Sequence, residues 1–355
     1  MLRIFFLLSI ALTMASPQAA MGQPRDTAGE ILTKLDGLPT EKREKALIEG
    51  ARKEGQLTIY SSTQQAHLTP LTQTFNRKYS FLKVNAFRVS SQRQATKLQM
   101  EFRAGRHEVD VINGLPAEAY QIQQIGALDP YDSPERKYFS EVHKDKKGYF
   151  TPLFVVPVVL GYNTNFVKRD EAPKSYAELL HPKWKGKMFL DIEDYEWYIV
   201  LLKHFGREKG FQYMKQLAQQ DLSMRRGRTL QLQLLMAGER GIGIALHAHS
   251  VLDFKKKGAP VDWVILDPYF AKPNYVMLAK YARHPHAAAL FIDWALSNEG
   301  QLFVTTFGRV VARKGVNQHF PQLVEKEFIL ADAETIGPVL NNAAQEFNQI
   351  FVPWR

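Results

Sequence analysis

Short apolar runs alternate with amphipathic stretches along most of the chain. A helix opening at Thr40 as its cap has Glu41 and Glu44 at its positive end, Ala46, Leu47 and Ala51 on its inner face, and Gly55 as its stop. Leu57-Thr58-Ile59-Tyr60 reads as a buried strand. A polar loop from Ser61 to Gln64 follows, then a helix with Leu68, Leu71, Phe75 and Tyr79 spaced three and four apart. The unit repeats with a strand from Lys83 to Val89, a loop at Ser90-Ser91, a helix about Gln94 to Ala104, and a strand from Val109 to Ile112 that ends on Asn113-Gly114. This alternation predicts a parallel sheet covered on both faces, with the strand-end loops facing one crevice.

The β-branched run from Pro152 to Tyr162 exceeds an average strand and predicts a crossing between two lobes. From Lys187 the alternation restarts with a strand Met188 to Leu190, an acidic loop Asp191 to Asp194 and a helix Tyr195 to Phe205. Further helices follow about 208–219 and 229–237, then a strand Gly241 to Leu246 running into His247-Ala248-His249-Ser250. Val261 to Leu266 reads as the return strand. The pattern predicts an α/β protein of two doubly wound lobes with a hinge, the second lobe inserted in the first. Lobe 1 would cover 23–157, lobe 2 would cover 158–266, and 267–355 would be the second part of lobe 1, with the return crossing and the C-terminal helices.

The first residues change the picture of location. Arg3 supplies a positive start, Ile4 to Met14 an apolar stretch, and Ala20-Met21-Gly22 a small-x-small cleavage pattern. An apolar stretch of about eleven residues is too short to span a bilayer as a helix. Residues 1–22 therefore read as a cleavable signal peptide, and the protein as exported to the periplasm. With 355 residues there is room for two domains, and Cys 0 removes disulfides, thiolate catalysis and iron–sulfur clusters at once. The net charge of +10 is scattered, which points to a cationic soluble surface and to no nucleic-acid partner.

Several segments, in this order, resemble periplasmic solute-binding proteins of ABC importers. They are Gly55-Gln56-Leu57-Thr58-Ile59-Tyr60-Ser61, Val109-Asp110-Val111-Ile112, Gly161-Tyr162-Asn163-Thr164, His181-Pro182-Lys183-Trp184-Lys185-Gly186-Lys187, and His284-Pro285-His286 through Phe291-Ile292-Asp293-Trp294 to Ser297-Asn298-Glu299-Gly300-Gln301. Within that superfamily the chain is similar to the ferric-iron-binding branch. The resemblance implies the periplasmic-binding-protein type II fold, capture of a small solute or ion by lobe closure, an ABC permease in the inner membrane as partner, and a monomer. It also implies no enzyme activity and no cofactor, a bound metal being cargo. Iron-binding members place adjacent tyrosines after the second-lobe strand, where this chain has His249-Ser250. Losing phenolates removes most of the charge compensation that ferric iron wants. Other members hold phosphorylated or carboxylated anions with hydroxyls, amides and helix starts.

Four constellations carry candidate chemistry. Tyr60, Ser61, Ser62, Thr63 and Gln64 after the first strand, with Ser90, Ser91 and Asn113 at equivalent strand ends, offer hydroxyls and amides to a polar solute, or simply cap helices. Glu193, Asp194 and Tyr195 either satisfy the start of the following helix or point to a cationic or metal-bearing ligand. Arg226, Arg228 and Thr229 suit a carboxylate or phosphate, or form a solvated basic loop with Thr229 capping the next helix. His247 and His249, alternating on a strand, would point the same way and form half a metal site. Tyr275, with Tyr269 and Asn274, lies near the second crossing. Acidic and histidine loops on one cleft lean towards a metal ion or metal–anion complex, ferric iron included. A small organic or phosphorylated anion on Arg226, Arg228 and Ser61 is the alternative, and an exported hydrolase or sensory subunit on the same scaffold is the second. No G-x-S-x-G, H-E-x-x-H, Walker loop or G-x-G-x-x-G is present.

Overall fold

A computed structural model of the chain describes residues 26–352 other than 317 and 319, so the expected signal peptide falls outside the described residues. In chain order the strands are β1 (Gln56–Ser61), β2 (Lys83–Arg88), β3 (Val111–Gly114), β4 (Leu128–Asp129), β5 (Thr151–Asn163), β6 (Met188–Asp191), β7 (Ser223–Arg225), β8 (Ile242–His247), β9 (Val261–Val264), β10 (Phe270–Ala279) and β11 (Ile329–Leu330). They join into one sheet in the order β2-β1-β3-β10-β5-β8-β6-β7, with β4 and β11 on β10 and β9 on β5. β1 runs parallel to β2 and β3, and β6 parallel to β7 and β8. The joins through β5 and β10 are antiparallel.

The two halves of β5 explain the two lobes. Thr151 to Pro157 pairs with β10, whereas Val158 to Asn163 pairs with β8 and β9. All thirteen residues are buried, as expected of a strand covered on both faces. On one side of the crossing lies a core containing Leu57, Phe75, Ile112, Phe291 and Trp294. On the other lies a core containing Leu160, Met188, Trp197, Leu201 and Ile242. A smaller cluster with Val155, Val159, Leu235, Val310 and Leu323 fills the join.

Three expectations are corrected. Val261 to Leu266 is not the return strand: Val261–Val264 is a partly exposed strand on the second-lobe half of β5, and the crossing back is made, within 267–355, by β10, whose ten residues are all buried. The helix Leu340–Phe351, expected on the first lobe, packs on the second. Its Phe347 and Phe351 enter that core, with the Phe347 ring edge-on to Tyr195 and Tyr198. An amphipathic terminal helix settles wherever an apolar face is uncovered, and the sequence order does not say where. Finally, the helix Thr40–Glu54 starts one residue earlier than a Thr40 cap requires: Pro39 holds the cap position and no side chain caps it. No helix among the described residues is long and apolar enough to cross a membrane.

Candidate functional site

A cleft of about 1160 Å³ opens between the lobes, floored by β5 and β10. Ser62, Thr63 and Gln64 after β1, Arg88 to Ser90 after β2, and Arg93, Thr96, Glu118 and Gln121 line its first-lobe wall. Asp191, Glu193, Tyr195 and Glu196 after β6, Arg226 to Thr229 after β7, and His247, His249 and Ser250 after β8 line the other wall. Phe154, Val156, Lys272, Asn274 and Arg309 form the floor. The loops meet because parallel strands end on the same side of each half-sheet.

Of the sequence-predicted residues, Ser62, Gln64, Glu193, Tyr195, Arg226, Arg228, Thr229, His247 and His249 come together on this cleft. Ser91 opens the helix Ser91–Arg103, and its side chain lies outside the described residues. Tyr60, Ser61, Asn113, Asp194 and Tyr275 do not line the cleft. Each is buried behind it, for a reason the contacts give.

Tyr60 points into the first core, its hydroxyl donating to Glu101 Oε1 at 3.2 Å with Lys97 over its ring. Asn113 is the post that fixes the β1 loop to the crossing strand. Its Oδ1 accepts from Ser61 Oγ at 2.6 Å and Thr63 Oγ1 at 2.8 Å, while its Nδ2 donates to the Tyr275 carbonyl at 2.8 Å and to Asn274 Oδ1. Asn113→Ala would strand both hydroxyls in a buried place. Unfolding in urea should show a loss of about 2 kcal/mol. Tyr275 stacks obliquely on Phe150, and its hydroxyl accepts from Ala333 N at 3.3 Å.

The acidic and basic loops of the second wall mostly neutralise each other. Glu193 pairs with Arg226 at 3.2 Å, Asp194 with Arg228, and Glu196 with Lys272 at 2.6 Å. Asp191 accepts from Gly227 N at 2.9 Å and from Glu193 N at 3.1 Å, so its carboxylate staples the two loops. Gly227 has φ +95, a conformation a side chain would strain, and that turn is what aims its N–H at Asp191. Thr229 caps nothing, because Gly227 holds the cap position of the helix Arg228–Ala237. Arg228 Nε donates to the carbonyl of Ala245 at 3.0 Å, and Ala245 itself sits at φ 56. Tyr195 meets the cleft, whereas Trp197 and Tyr198 face the core.

His247 ends β8, but Ala248 already starts the next helix, so the two imidazoles do not alternate on a strand. Their rings are 5.5 Å apart, and no group of three or more His, Cys, Asp or Glu that could hold a metal occurs among the described residues. Burial pushes both well below the ordinary histidine range. Arg228 and Lys272 add to this at His247, and Arg309 and His67 at His249.

Six cationic side chains line the cleft: Arg88, Arg93, Arg226, Arg228, Lys272 and Arg309. Against them stand four carboxyls, Glu118, Asp191, Glu193 and Glu196. Burial, with Glu196 nearby, raises Glu118 from 4.5 to about 8, so it keeps its proton at neutral pH. The lining is therefore positive overall. Sequence reasoning missed Arg88, Arg93, Glu118, Glu196, Lys272 and Arg309. For Lys272 and Glu118 a signal existed, a lone charge inside an apolar run.

Comparison with known proteins adds the following. A family model described as bacterial extracellular solute-binding protein matches residues 119–329. A curated relative from Haemophilus influenzae, itself uncharacterized, is 26% identical over 272 residues, 72% of this chain and 77% of that one. Iron-bound HitA from Pseudomonas aeruginosa superposes with a TM-score of 0.73 at 18% identity, covering 83% of this chain and 99% of that one. The periplasmic binding protein AfuA from Actinobacillus pleuropneumoniae, with fructose-6-phosphate bound, gives 0.69 at 24% identity over 84% and 97%.

Proposed function

Since the chain belongs to the bacterial extracellular solute-binding proteins, its cleft serves capture for an ABC-type importer and not catalysis, and we propose that the captured solute is a small phosphorylated or carboxylated organic anion. The observation that carries this reading is the surplus of cationic side chains lining the gap between the lobes. Charge-assisted hydrogen bonds to an anion form with both walls only when the lobes close. A solute shifts the open–closed equilibrium by that difference in contact and by nothing else. Moving it from 1:99 to 99:1 needs about 5.5 kcal/mol, within reach of a few such bonds. The closed form would dock on an inner-membrane permease from the periplasm as a monomer, with no resident cofactor.

A second reading is ferric iron carried with its own chelating anion. It is supported by the fold shared with iron-bound HitA and by two imidazoles on the cleft. One experiment separates the two. The exported protein is screened by thermal melting and small-angle scattering against phosphate esters, citrate and other carboxylates, amines, and ferric citrate. At 100-fold over Kd, ligand should add about 2.7 kcal/mol, or roughly 5 °C in Tm, and should compact the protein. A response to ferric citrate but not to citrate alone selects the second reading. Silence across the whole panel removes the capture reading.

A further inference from the structure

The floor of the cleft holds a buried cation that forms no ion pair among the described residues. Arg309 lies on the strap after the helix Asn298–Thr305, next to Val310, whose carbonyl accepts from Val155 N at 2.7 Å. Its side chain is 5% exposed, and its guanidinium sits 4.8 Å over the Phe154 ring. One nitrogen, Nη2, is 3.2 Å from His67 Nδ1, while Nε has no hydrogen-bond partner. Among the described residues no carboxylate reaches ion-pair distance of it. Burial, opposed by the nearby Asp253 carboxylate, brings Arg309 down from 12.5 to about 10, and it still carries its charge at neutral pH.

Two more buried nitrogens, on histidines that line the same cleft, lack partners. His249 is 4% exposed with Nδ1 unsatisfied, and His247 Nε2 is likewise unsatisfied. Both imidazoles feel Arg309 electrostatically. A buried charge with no ion-pair contact, beside nitrogens that lack hydrogen bonds, is costly unless something supplies the partner. By contrast Arg226 and Arg228 already have carboxylates.

We propose that Arg309, with His249 and His247, is the seat of the solute's phosphoryl group, which supplies the ion-pair contact that Arg309 lacks and accepts the open hydrogen bonds. This rests on the anionic-solute reading above and adds to it where the charged head sits. Three separate donor nitrogens match the three terminal oxygens of a phosphate monoester better than the two of a carboxylate. The rest of the solute then extends towards Asp191, Glu193 and Glu118, whose oxygens suit hydroxyl groups.

The test titrates inorganic phosphate, fructose 6-phosphate, glycerol 3-phosphate, fructose and citrate into the wild-type protein, Arg309→Gln, His249→Asn and Arg226→Gln by calorimetry, and melts each protein without ligand. Phosphate compounds should bind the wild type and fructose should not. Arg309→Gln should weaken the tightest phosphate at least about 100-fold and His249→Asn about tenfold, with a much smaller loss for Arg226→Gln. The unliganded Arg309→Gln protein should melt no lower than wild type, because the substitution removes an unpaired buried charge, which a merely structural arginine would not do. If Arg309→Gln folds poorly, His249→Asn decides by the same ranking against Arg226→Gln. Binding of citrate alone, or a loss largest at Arg226, overturns the phosphoryl seat and leaves the anion reading standing. A wild type that binds no anion overturns both.

Discussion

Asp194→Ala is expected to destabilise the protein by about 4 kcal/mol, read as a shift of the urea midpoint at unchanged slope. Asp194 is fully buried and its carboxylate meets the Arg228 guanidinium, whose side chain is about one-fifth exposed. Burial lowers the Arg228 pKa, with Asp191 and Glu193 opposing. Taking away Asp194, its contact partner, leaves a half-buried guanidinium that still has to hold the Ala245 carbonyl. The double replacement Asp194→Leu with Arg228→Met should cost less than Asp194→Ala alone, because neither charge is then left without its partner. If the single substitution costs under about 1 kcal/mol, the pair is solvated and does not hold the two loops together. The consequence for function is direct. Arg228 acts as a positioning residue for the β7 and β8 loops, and a ligand reaches only the part of its guanidinium that Asp194 leaves free.

Periodicity in the sequence was enough for the two-lobe architecture, because β5 and the helix Tyr195–Phe205 advertise themselves by unbroken apolar or amphipathic runs. It was less informative about which loop residues face the gap. Asp194 and Glu193 are neighbours of the same type, yet one is buried on Arg228 and the other lines the cleft. Nothing local distinguishes them, since the distinction is made by Arg228 thirty-four residues later. The same holds for Ser61 and Ser62: on a strand end, successive side chains face opposite ways, and a register error of one residue exchanges pocket for core. Asn113 looked like a ligand contact because it ends a strand, and it became a post because Ser61, Thr63 and Tyr275 all converge on it. Arg309 was out of reach for another reason. It arrives from the far end of the chain to a floor built of β5 and β10, a contact that only the tertiary fold creates.

Lone charges in apolar surroundings were the legible signal that went unused, and Glu118 shows what they do. Flanked by Ala117 and Ala119 on the helix Pro116–Gln124, it is 9% exposed, and one of its oxygens has no partner. In the unfolded chain it ionises near 4.5, whereas in the fold it holds its proton to about 8. Between those values the folded protein keeps a proton that the unfolded chain has released, so this group lowers stability as pH rises through 4.5 to 8. The penalty is absent below that window and complete above it. At pH 7 it amounts to up to about 3 kcal/mol, taking 1.36 kcal/mol per unit. Glu118→Gln mimics the protonated form in both states. It should therefore be more stable than wild type by about that much at pH 7 and by almost nothing at pH 4.5, measured by urea unfolding at each pH. A difference that stays constant from pH 5 to pH 8 would mean that Glu118 ionises as an ordinary carboxyl. The proton also matters for closure. Glu118 comes from the first lobe and Glu196 from the second, and Lys272 on the crossing strand pairs with Glu196. Ionising Glu118 above pH 8 sets two carboxylates against one ammonium across the hinge and adds negative charge to a cleft whose proposed solute is an anion. Anion affinity in the wild type should fall above that pH, and Glu118→Gln should flatten the fall.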